Sequence, residues 1–81
     1  MAEKVYRIHA GWDPEAGVWV AESDDVPGLA TEAETIEKLA ERLRILIPEL
    51  LEANHVIAPG ASKEISFELT SQRQERVRLA S

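Results

Sequence analysis

The chain has 81 residues, enough for one small domain, and its 15 acidic against 9 basic side chains set a net charge of −6. The absence of cysteine excludes disulfides, thiolate metal sites and cysteine nucleophiles, and His9 and His55 lie too far apart for metal-ligand spacing. No apolar run approaches the roughly 20 residues of a membrane span, and no apolar signal core follows Met1-Ala2-Glu3-Lys4, so a cytoplasmic protein without cofactor or metal is expected.

The first element is a strand over Lys4 to Trp12. Tyr6, Ile8, Ala10 and Trp12 alternate onto one face; Val5, Arg7, His9 and Gly11 take the other. "DPEAG", Asp13 to Gly17, is a turn in which Asp bonds the following backbone, Pro presets φ and Gly accepts φ > 0. "VWVAES", Val18 to Ser23, completes a hairpin, and its apolar run reads as a central strand covered on part of both faces. Trp12 and Trp19 flank the turn. One of them is expected in the core, and an exposed partner would serve as an interface anchor.

"DDVPG" breaks the second strand, and "LATEA", Leu29 to Ala33, is a short third one. A helix follows with Thr35 as N-cap and Glu34 and Glu37 near the positive end of its dipole. Ile36, Leu39, Ala40, Leu43, Leu46, Ile47, Leu50 and Leu51 form one apolar stripe. Pro48 falls inside the stripe, which runs on beyond it, so the expectation is one kinked helix capped by Asn54. Past the Pro59-Gly60 turn signal, "KEISFEL", Lys63 to Leu69, is an amphipathic strand with Ile65, Phe67 and Leu69 inward. Residues 1–70 thus form the domain. Residues 71–81 are a polar tail in which Arg76-Val77-Arg78-Leu79 reads as a short strand or a frayed end. The fold class is α+β, β-β-β-α-β, with an antiparallel-rich sheet under one helix. An exposed edge in so small a sheet favours pairing with another copy, and a homo-oligomer is expected.

Charge is placed unevenly along this order. Between Ile8 and Glu37 there is no Lys or Arg, and the stretch holds Asp13, Glu15, Glu22, Asp24, Asp25, Glu32, Glu34 and Glu37. Phosphate-backbone binding wants the opposite sign, so no direct nucleic-acid contact is expected. A basic partner protein would be steered by such a field, and Asp13, Glu22, Asp24, Asp25, Glu32 and Glu34 are the candidate contact residues. For Asp24 and Asp25 the plainer role is to shape and solvate the turn. Two-metal phosphoryl chemistry would need several carboxylates converging on ions about 4 Å apart. Asp13, Glu22, Asp24 and Asp25 are the only set to draw on, and they have no Lys or His beside them in sequence. His9 reads as a structural or surface histidine, and His55 as a residue suited to the helix's negative end.

The segment "WDPEAGVWVAESDDVPGLATEAETIEKLAERLRILIPELLEAN" resembles the HicB-like antitoxin superfamily, and the likeness extends from Tyr6 to about Leu69. In that superfamily an acid shortly before Pro-Gly ends the hairpin, and the helix starts at an acid-Thr-hydrophobe step. Here these are Asp25 with Pro27-Gly28, and Glu34-Thr35-Ile36. "SDDVPGL" and "LIPELLE" are most similar to a stand-alone branch. The resemblance implies a degenerate RNase H-like domain that binds and neutralises a small basic HicA-type RNA-cleaving toxin; the sequence offers no complete carboxylate set, so the fold is expected to be retained and the catalysis lost. Members often add a C-terminal DNA-binding module. About twelve residues after the last strand leave no room for one, so autorepression is not expected of this chain, and Ala33 stands where a glycine is common. The alternatives are an orphan domain that assembles with itself and a metal-dependent nuclease using Asp13, Glu22, Asp24 or Asp25.

Overall fold

A computed structural model describes residues 4–58 and 64–80. Its elements are β1 (Val5–Asp13), β2 (Val18–Glu22), β3 (Thr31–Ala33), α1 (Ile36–Ala53) and β4 (Ser66–Gln72). The β-β-β-α-β order is the expected one. The sheet runs β3-β2-β1-β4, with β1–β2 and β2–β3 antiparallel and β1–β4 parallel. A parallel neighbour cannot be reached by a tight turn; α1 supplies the crossover and lies on one face of the sheet.

Alternation along β1 decides which face that is. Tyr6, Ile8 and Ala10 are buried, while Val5, Arg7 and His9 are exposed. Ala10 pairs with Ala21 and Trp19 with Ala33, so small side chains from three strands floor the core beneath α1. The helix answers with Leu39, Leu43, Ile47 and Leu51, a strict four-residue spacing with every side chain at 0% exposure. Ile36, Leu50, Ile65, Phe67 and Leu69 pack around this centre. Trp12 and Trp19 are both half-buried, edge to face at 5.3 Å, with the Arg73 guanidinium 4.0 Å from the Trp12 ring centre. Neither tryptophan is a free anchor.

The helix ends follow from local chemistry. Thr35 is extended, and its Oγ1 accepts the Lys38 N–H at 3.1 Å. Pro48 sits within one unbroken helix. At the C-terminus Val56 N–H donates to the Leu51 carbonyl and His55 N–H to that of Glu52, a Schellman pair. The position that usually takes glycine is His55, at φ 58°. The imidazole's place at the helix end is therefore accompanied by a backbone conformation that favours glycine.

Boundaries shift where pairing outweighs pattern. The third strand is shorter than expected, because Leu29 N–H turns back onto the Val26 carbonyl. β4 runs on to Gln72: Thr70, Ser71 and Gln72 pair with His9, Ala10 and Gly11 despite their polarity. Arg76 to Leu79 form no strand within the chain. The expected Pro59-Gly60 turn and the strand start at Lys63 lie outside the described residues.

Candidate functional site

The "SDDVPGL" turn is where the β1–β2 ladder stops, and its side chains take over from the backbone. Ser23 Oγ donates to the Arg7 carbonyl at 2.7 Å, and the Asp25 carboxylate accepts the Arg7 N–H at 2.8 Å. The β1 backbone at Arg7 therefore keeps both partners after β2 has left. Ser23 Oγ also accepts from the N–H groups of Asp25 and Val26 at 3.0 and 3.2 Å, closing a tight side-chain turn. That turn drives Val26 into the core at 1% exposure. Asn54 at the helix end donates to the Pro27 carbonyl, and Gly28, at φ +76°, lies against Leu50. The turn is thus pinned to β1 on one side and to the end of α1 on the other.

The face of the sheet opposite α1 carries Val5, Arg7, His9, Val18, Val20, Glu22, Glu32, Glu68 and Thr70 by register. Around the turn this face dips into a shallow depression of about 460 Å³. Arg7, His9, Glu22, Ser23, Asp24, Asp25, Glu68 and Thr70 line it. Four carboxylates there face one guanidinium. Asp24 is exposed, while Asp25 is half-buried with one oxygen engaged by Arg7.

Three of the six sequence candidates, Glu22, Asp24 and Asp25, therefore meet at one place. The other three lie elsewhere. Asp13 is at the far end of the hairpin, where its carboxylate accepts from Glu15 and Ala16 and its carbonyl from Gly17. Glu32 sits on β3 opposite Val20. Glu34 precedes the helix and pairs with Lys38 at 3.9 Å. The structure adds Glu68, Thr70, Arg7 and His9. Their parity along β1 and β4 was readable, but the register that sets Arg7 beside Glu68 and His9 between Glu22 and Thr70 depends on the parallel pairing. His9, which is remote from the acidic pair in sequence, lines the same depression, as does Arg7. Among the described residues no group of three or more His, Cys, Asp or Glu side chains is placed to hold a metal ion.

A family model described as Domain of unknown function (DUF1902) matches residues 5–81. The chain belongs to this family. No curated protein matches its sequence. The DUF1902 chain is similar to the crystal structure of a hypothetical protein from the extremely thermophilic bacterium Thermus thermophilus. The two share 47% identity and superpose with a TM-score of 0.66 over 94% of this chain and 100% of the other. No described helix of the DUF1902 chain is long and apolar enough to cross a membrane.

Proposed function

We propose that this chain is a non-enzymatic, HicB-like binding protein of antitoxin type, which takes up a small basic RNA-cleaving toxin on the open face of its sheet. The observation that carries this reading is the convergence of Glu22, Asp24, Asp25 and Glu68 on one uncovered depression, opposed by Arg7 alone. A net negative field on a shallow face accelerates encounter with a cationic protein and discriminates against acidic ones. The same field repels nucleic acid, so the toxin and not the RNA is the partner. Such a toxin acts on RNA in the cytoplasm, and the complex is placed there too. The nuclease alternative is weaker, because the carboxylates from Asp13 to Asp25 are split between the two ends of the hairpin.

The test is co-expression with the small basic product of a neighbouring reading frame, followed by affinity capture. Asp24→Lys combined with Glu68→Lys reverses two exposed charges that, among the described residues, hold no hydrogen bond. Capture and protection of growth are expected to fall about tenfold or more, corresponding to about 1.4 kcal/mol, with helix content unchanged. Unchanged capture by the folded double variant refutes the proposal, as does the lack of any such neighbouring product.

A further inference from the structure

We infer that the C-terminal arm, residues 74–80, docks on a second copy of this chain, along the free edge of β3. The first ground is shape. The molecule measures 61 × 26 × 19 Å, whereas β1 and α1, the longest elements, span only about 30 and 27 Å. The radius of gyration is 15.5 Å, against about 12 Å for a compact chain of this length. Beyond Arg73, which rests on Trp12, the arm leaves the body. Among the described residues, Arg76 to Ala80 form no hydrogen bond or ion pair with it.

The second ground is the arm's own pattern. Val77 and Leu79 are 81% and 86% exposed, the most exposed large apolar side chains among the described residues. They alternate with Arg76 and Arg78, so an extended arm has one apolar and one cationic face. Such a segment is a strand without a sheet, and burial of its two apolar side chains needs a partner.

The third ground is complementarity. β3 is an outer strand paired only with β2, so its other edge has open backbone groups. Beside it lies a groove of about 410 Å³ floored by Val20, Leu29 and Ala30 and flanked by Glu22 and Glu32. An extended segment added to that edge forms ladder hydrogen bonds and sets Val77 and Leu79 in the groove, while Arg76 and Arg78 take the other face of the sheet. The outer edge of β4 is the other open one, but the depression at its start sets Arg44, Glu52 and Glu64 among Pro48, Ile57 and Ile65 and is the more polar of the two. The arm carries Arg76 and Arg78 against Glu75, while the stretch from Ile8 to Glu37 has no Lys or Arg. The arm is thus the cationic counterpart of the chain's own acidic half, and the docking does not rest on the toxin reading, although Glu22 borders both surfaces.

Sedimentation velocity on the full-length chain over the micromolar range tests this, with far-UV circular dichroism as the fold control. The wild type is expected to form a dimer or larger assembly. Val77→Asp with Leu79→Asp should weaken that assembly about tenfold or more while the body stays folded. Arg76→Glu with Arg78→Glu, which reverses the arm's charge towards the acidic stretch, should weaken it as well. A wild type that is monomeric throughout overturns the inference. So does an assembly untouched by the apolar pair.

Discussion

Replacing Asp25 by alanine separates the structural role of the acidic pair from its charge. The Asp25 carboxylate accepts the Arg7 N–H at 2.8 Å, whereas the Asp24 side chain is exposed and holds no hydrogen bond among the described residues. A hydrogen bond to a charged group contributes about 1.5–3 kcal/mol. Arg7 is exposed, so water replaces the carboxylate in part, and the lower end applies: about 1.5 kcal/mol. In a domain of 60–100 residues each kcal/mol moves Tm by about 4–8 °C, so the loss is roughly 6–12 °C. Asp24→Ala removes the same charge from the same turn and should stay within about 0.5 kcal/mol. Because both variants relieve the −6 net charge equally, their difference isolates the hydrogen bond. Asp25→Asn, which keeps an acceptor, should fall between them. The measurement is urea unfolding followed by the fluorescence of Trp12 and Trp19. Equal stabilities of Asp24→Ala and Asp25→Ala, with equal m-values, would refute the claim that Asp25 stands in for the missing ladder.

Leu43→Ala empties a site at 0% exposure and should cost about 2–5 kcal/mol, while Ile45→Ala, at 66% exposure two residues on, should cost under about 0.5 kcal/mol by the same denaturation assay. Thr35→Ala removes the N-cap acceptor of Lys38 N–H and should cost about 1 kcal/mol, with Thr35→Ser close to wild type. His55→Gly should stabilise the chain by about 0.5–1 kcal/mol in thermal unfolding, because the left-handed conformation at φ 58° costs a side-chain residue about 1–2 kcal/mol and glycine's greater freedom when unfolded returns part of that.

The sequence was most readable where one residue type fits one local geometry. Thr35 and Asn54 mark the helix ends, Asp13 and Gly17 close the hairpin, and the four-residue spacing of Leu39, Leu43, Ile47 and Leu51 locates the core. It was least readable where partners come from distant segments. Nothing local in "LTSQ" marks a strand; Thr70 to Gln72 extend β4 because β1 lies beside them with open hydrogen-bonding groups. The site divides the same way. The acidic pair was visible as a charge cluster, but Glu68 and Thr70 join it only through the parallel β1–β4 register, which no short-range pattern encodes. Asp13, Glu32 and Glu34 stood near the pair in sequence and are separated from it by the hairpin, the β3 edge and the helix start.

This division changes which residues of the turn can answer a functional question. Ser23 and Asp25 continue the β1 hydrogen bonding, Val26 fills the core, Pro27 meets Asn54 and Gly28 lies against the helix. Any chain that folds in this way has reason to keep such residues, whatever it binds. A likeness carried by that turn is therefore evidence of shared architecture first. Asp24 has no such duty, and neither have Glu22 and Glu68 on the adjoining strands, whose side chains bear charge on the open face without holding the fold together. Charge that costs self-repulsion and contributes nothing to packing needs another explanation. A basic partner offers one for the depression. Glu22 borders both the depression and the groove beside β3, so a reversal at Glu22 alone would affect either partner, whereas Asp24 and Glu68 report on the depression and Glu32 on the edge.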